Sequence, residues 1–195
     1  MKKIWDYLFL PAVLLASGAV LFLGLRCYYR GAYPLGYQEE VEAWSAENGL
    51  DPALVYAVIR TESGFDQEAE SSVGARGLMQ LTPDTYSWVL YRLGEAGEGD
   101  AGDLYDPEEN IRCGCANLRL LLERFGEEGT ALAAYHAGWG SVSRWLQSER
   151  YSSDGSHLDA IPFPDTESYV EKVLETRDLY RRLYPGLGEG APEAV

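Results

Sequence analysis

Histidine and cysteine are scarce, with two and three among 195 residues, and 16 basic residues face 31 acidic ones. Each shortage excludes something. Cys27 stands alone near the N-terminus, while Cys113 and Cys115 are two apart on a stretch of helical character, where they point in different directions and cannot easily bridge. No disulfide framework is therefore available, and Cys113 and Cys115 read as small buried apolar groups. His136 and His157 share no zinc-type spacing with the thiols, so neither a metal nor another cofactor is expected. A formal charge of −15 leaves no basic patch for phosphate contacts, which argues against nucleic acid and against an anionic membrane surface as partners. A neutral or mixed glycan is compatible with it. Internal repeats are missing, and so is the apolar–polar alternation of strands; the apolar spacing is helical throughout.

One long apolar run is present. Lys2 and Lys3 precede an uncharged stretch from Tyr7 to Leu25, closed by Arg26. As a helix it spans about 28 Å, close to a bilayer core, and Pro11 is tolerable in its first turns. A cleaved signal peptide is the alternative, but the run is long for one and no A-x-A site follows. Cys27 lacks the small preceding residues of a lipoprotein site. The expected organisation is a membrane anchor at 1–30, a Gly-, Pro- and Tyr-containing linker at 31–36, one globular domain at 37–185 and a disordered Gly- and Glu-rich tail at 186–195. A domain of roughly 150 residues can bury a core.

Within that domain, helices are predicted over 37–48, 52–62, 83–93, from 107 to about 125, and over 130–135, 141–146 and 166–184. Between them, Gly94 to Asp106 is rich in glycine and acid and reads as a solvated, mobile loop. Asp100, Asp103 and Asp106 suggest calcium, but their order does not fit an EF-hand.

The segment from Asp51 to Thr82 carries the chemistry. Asp51 and Pro52 suit a helix start, and Leu54, Val55, Val58 and Ile59 recur on one face. Glu62 falls on that same face, at the C-terminal end. Partial burial and the negative end of the helix dipole both disfavour its ionised form, so its pKa should rise, as a general acid for a glycosidic bond requires. Ser63 and Gly64 then stop the helix, and a loop of small residues follows, where backbone can approach a ligand closely. Asp66, Glu68 and Glu70 read as the exposed side of that turn.

After Glu62-Ser63-Gly64-Phe65, the residues Ala69, Ser71, Gly74, Ala75, Gly77, Leu78, Met79 and Gln80 read A-x-S-x-x-G-A-x-G-L-M-Q. This pattern resembles the catalytic domain of the lytic transglycosylases, relatives of goose-type lysozyme that cleave peptidoglycan. Three further stretches carry the same resemblance. Asp106-Pro107, Asn110-Ile111 and Gly114 fit D-P-x-x-N-I-x-x-G. Ala131 to Trp145 fits A-L-A-A-Y-N-A-G-x-G-x-V, with His136 where the family has Asn. Ile161 to Val170 fits I-P-F-x-E-T-R-x-Y-V, with Asp165 for Glu and Glu167 for Arg, the latter losing a bidentate donor.

The resemblance implies an all-α, lysozyme-like domain, here behind the one transmembrane helix read from the apolar run, with peptidoglycan glycan strands as substrate. It implies Glu62 as the single acid and base, which leaves a 1,6-anhydromuramic end without consuming water. Ser71 would hydrogen-bond near the acid or the N-acetyl group, Met79 and Gln80 would line the cleft, and Tyr135 would hold Glu62 or the sugar. His136 would sit beside the sugar site. Lys2 and Lys3 are balanced by Arg26 and Arg30, so charge does not orient the anchor. A wall-directed function places the domain outside a bacterial cell membrane, as a single-pass protein, with room for a partner from the cell-wall machinery. A hydrolytic muramidase of the same fold and a non-catalytic wall-binding scaffold are the alternatives.

Overall fold

The computed structural model describes residues 2–97 and 99–187. Among these residues every regular element is helical, and pairing outside helices is limited to isolated bridges of Arg76 with Glu70 and with Leu81. The chain divides into two compact units, Met1–Leu35 and Gly36–Val195.

The first unit is helix α1 (Lys2–Ala32), which continues past the apolar run into the segment predicted as linker. Nothing between Arg26 and Gly31 breaks a helix, whereas Pro34 disfavours helical geometry in the residue before it. From Pro11 to Ala32 the mean hydropathy is 1.6, long and apolar enough to cross a membrane. Leu14, Leu15, Val20, Leu21, Phe22 and Leu23 all lie exposed along it, more contiguous apolar surface than water tolerates well.

The second unit contains α2 (Gln38–Glu47), α3 (Pro52–Glu62), α4 (Pro83–Leu93), α5 (Pro107–Phe125), α6 (Glu128–Ala137), α7 (Trp139–Trp145) and α8 (Pro164–Leu183). Three of these begin as the sequence predicts. Asp51, Thr82 and Asp106 cap α3, α4 and α5 by accepting from the N–H groups of Ala53, Thr85 and Glu109, and each is followed by proline. α6 starts two residues before the predicted Thr130, because the Glu127 carboxylate accepts from the N–H groups of Gly129 and Thr130. A glutamate is not a common cap, which is why the boundary was hard to read.

α3 is the centre of the fold, buried at every residue from Pro52 to Ile59. It packs most extensively on α8. Near one end the Asp51 carboxylate meets the Arg181 guanidinium at 2.6 Å, and the Tyr56 and Tyr180 rings stack at 5.3 Å, so the two helices run antiparallel. α5 packs on α6 and α2 and completes the core, with Cys113 and Cys115 both buried and free. The segment predicted as a mobile loop is pinned near its C-terminal end: a single helical turn at Asp103–Tyr105 buries Leu104, whose carbonyl accepts from Asn110 Nδ2 at 2.8 Å. From residue 188 the predicted tail lies outside the described residues.

Candidate active site

Between α3 and α4 the chain folds into a loop held by its own backbone and by one buried side chain of α5. Ser71 N–H donates to Ala75 O, Gly77 N–H to Ala69 O, and Arg76 and Leu81 exchange hydrogen bonds. Asn110, fully buried, accepts from Met79 N–H at 2.7 Å and donates to Arg76 O at 3.0 Å as well as to Leu104 O. Gly77 has φ of +74°, and a Cβ there would lie 2.1 Å from Leu104 O. Only glycine fits at that crossing. Gln80 carries a positive φ of 50° without being glycine, a strained backbone of the kind that clusters at functional sites.

This loop, the end of α3 and parts of α4, α5 and α6 enclose a cavity of about 270 Å³. Glu62, Ser71, Gln80, Tyr135 and His136 all line it, so five of the six residues singled out from the sequence converge. Met79 is the exception and corrects the expectation that it lines the cleft. Its side chain is fully buried and packs on Gly114, where a Cβ would come within 2.2 Å of its sulfur. The loop geometry turns Met79 inward, and only its backbone serves the site.

Glu62 is the last residue of α3 and partly buried. Burial raises its pKa from the ordinary 4.5 to about 7, against smaller downward effects from a Tyr169 hydrogen bond and from Lys172. The Tyr169 hydroxyl donates to Glu62 Oε1 at 2.7 Å. Of the two roles expected of Tyr135, holding Glu62 or the sugar, the phenol beside Glu62 is instead Tyr169: the Tyr135 hydroxyl donates to Met79 O at 2.7 Å and braces the loop. Burial and the nearby Glu62 charge hold both phenols far above the usual tyrosine range, so both stay protonated donors.

The other lining groups are held as well. Ser71 Oγ accepts from Ala75 N–H at 3.0 Å. Gln80 Nε2 donates to Ala69 O at 3.0 Å and Gly77 O at 2.9 Å, which leaves the amide oxygen as the group it can offer a ligand. His136 stacks on the Tyr169 ring at 4.5 Å, and its Nδ1 lies 3.1 Å from Thr166 Oγ1. Desolvation lowers its pKa, with Asp165 pulling the other way. Among the described residues no three His, Cys, Asp or Glu side chains converge as a metal site.

The family model described as "Transglycosylase SLT domain" matches residues 39–157. The chain belongs to the SLT transglycosylase domain family. The soluble lytic murein transglycosylase of Escherichia coli K12 is 33% identical over 156 residues, covering 79% of this chain and 24% of that protein. An endo-type membrane-bound lytic murein transglycosylase A of Klebsiella pneumoniae is 33% identical over 141 residues, 65% of each chain. Among solved structures, the lytic transglycosylase Slt of Pseudomonas aeruginosa, crystallised as an inactive glutamate-to-glutamine mutant, superposes with a TM-score of 0.67 at 32% identity over 82% of this chain and 25% of that one. The chain thus spans about a quarter of the length of the soluble relatives it matches. Its second unit has their lysozyme-like helical fold.

Three side chains that the sequence reading did not assign to the site touch it or brace it, two of them inside the SLT match and one outside. Asn110 ties the loop to α5, and Asn117 lines the cavity next to Tyr135. Tyr169 holds the acid from a position beyond the 39–157 match. A signal for Tyr169 existed, since it lies four residues before Val173 on the apolar face of α8.

Proposed function

We propose that this chain is a membrane-anchored lytic transglycosylase that cleaves the β-1,4 bond between N-acetylmuramic acid and N-acetylglucosamine in peptidoglycan. The observation that carries the reading is a carboxyl group with a pKa of about 7 in a cleft whose described lining holds no other carboxylate. Ordinary glycosidases need a second carboxylate as base or nucleophile. Here one group must serve twice.

Protonated Glu62 gives its proton to the glycosidic oxygen as the bond from that oxygen to the muramic C1 breaks. The N-acetyl oxygen of the substrate stabilises the electron-poor C1. The Glu62 carboxylate then takes the proton of the muramic C6 hydroxyl, whose oxygen bonds to C1. The product ends in a 1,6-anhydromuramic residue, Glu62 is protonated again, and water is not consumed. The attacking hydroxyl belongs to the sugar under attack, so the step gains from proximity. Tyr169 binds Oε1, leaving Oε2 for the substrate, and stabilises the carboxylate present midway. Ser71, Gln80, Tyr135 and His136 contact the sugars. The glutamate-to-glutamine change that inactivates the Pseudomonas relative marks an essential glutamate there, in line with this reading.

Helix α1 would hold the enzyme in the bacterial cell membrane as its one span, with the domain on the outer side where the polymer lies. Relatives named membrane-bound agree with this. The test uses the full chain in detergent micelles with purified peptidoglycan, beside Glu62→Gln. Muropeptides one water lighter than hydrolysis products, absent with the variant, are expected. Reducing ends would make the protein a muramidase, and full activity of the variant would remove Glu62 from the mechanism.

A further inference from the structure

The cavity at Glu62 continues beyond Tyr135. Thr85, Asn117 and Tyr135 also line a second cavity of about 220 Å³. Trp88, Leu121 and Trp139 in turn are shared between that cavity and a third of about 340 Å³. The three form one groove, from the acid to the C-terminal ends of α4 and α5.

Its far end differs in kind from its near end. Two indoles flank it, Trp88 partly buried and Trp139 47% exposed. Beside them stand Arg92, in the last turn of α4, and Arg124, in the last turn of α5. The guanidinium carbon of Arg92 lies 5.6 Å from the centre of the Trp88 ring system, and that of Arg124 lies 4.7 Å from that of Trp139. Arg124 also donates to Ser143 Oγ at 3.3 Å. Acids outnumber bases 31 to 16 in this chain, yet neither arginine has an ion pair among the described residues. Glu123, the acid in the lining of the third cavity, is committed to Arg119 at 2.5 Å.

A guanidinium stacked on an indole keeps its in-plane N–H groups available, and their fork matches a carboxylate. Indoles supply apolar surface for the C–H face of a sugar ring. A peptide joined by its N-terminus to a muramic lactyl group keeps a free C-terminal carboxylate. Building on the lytic transglycosylase reading, we infer that the far end of the groove is a second binding site on the strand, where Trp88 and Trp139 take a sugar ring and Arg92 and Arg124 take a carboxylate of the attached peptide. Asn117, 6% exposed and with a side-chain amide that makes no hydrogen bond among the described residues, sits between the two ends and orients the strand.

The test compares glycan strands carrying their peptides with the same strands stripped of them by an amidase, using the full chain in detergent micelles. Affinity is read from the anisotropy of labelled strands, and KM from product mass. Arg92, Arg124 and Trp139 are exposed, so substitution there leaves the core untouched. The wild type should prefer peptide-bearing strands by roughly tenfold or more, the scale of a charge-assisted hydrogen bond. In Arg92→Gln/Arg124→Gln that ratio should fall toward one, and Trp139→Ala should weaken both substrates. A wild type without the preference, or a double variant that keeps it, overturns the inference even when cleavage is normal. If no strand is cleaved while the preference and its dependence on both arginines persist in binding, the site stands and the catalytic reading falls.

Discussion

At the scale of single residues, the proposed chemistry rests on a carboxyl group whose surroundings favour its protonated form. The folded-state pKa of Glu62, about 7, lies above the ordinary 4.5. Between those values the folded chain keeps a proton that the unfolded chain has released, so folding stability falls as pH rises through this window and levels off above it. Glu62→Gln removes the penalty. Relative to the wild type it should gain on the order of 3 kcal/mol between about pH 4 and pH 8, measured by urea unfolding at each pH. A constant difference would mean that burial does not perturb the acid. Tyr169 gives a second prediction. Its hydrogen bond lowers the pKa of Glu62, so Tyr169→Phe should move the descending limb of the pH–rate profile to higher pH and slow cleavage roughly tenfold. An unmoved limb would reduce Tyr169 to packing.

At the scale of elements, the site depends on how the loop after α3 is fastened to α5. Asn110 makes three buried hydrogen bonds across that join. Asn110→Ala should cost roughly 3 kcal/mol, visible as a lower urea midpoint, because it leaves buried partners unsatisfied. What the sequence made legible follows the same division. Helix starts at Asp51, Thr82 and Asp106 were readable because cap and proline stand side by side in the chain. Glu62 was readable because one helical period decides its face. Met79 was not, since spacing within a loop of glycines does not say which side chain turns inward; the space left by Gly114 decides that. Nor did the sequence point to Tyr169 as the partner of Glu62. The phenol that reaches it lies 107 residues away and arrives only through the packing of α8 on α3.

At the scale of the whole molecule, the two units carry separate tasks in our reading. Removing residues 1–35 should leave the helical domain folded by circular dichroism, while abolishing co-sedimentation with lipid vesicles; retained sedimentation would place membrane contact on the domain itself. The acid and its phenol belong to one antiparallel helix pair, tied also by Asp51 with Arg181 and by Tyr56 with Tyr180. Ser71, Gln80 and Asn117 belong to other elements. Widening or narrowing of the cleft therefore changes the distance from carboxyl to sugar and leaves the distance from carboxyl to phenol alone. In the proposed reading, the proton donor is therefore armed before any strand arrives, and no substrate-driven assembly is needed to ready it. On that reading the enzyme would have no internal safety catch, and restraint over where the wall is opened would fall to access and to the place where the proposed tether holds it.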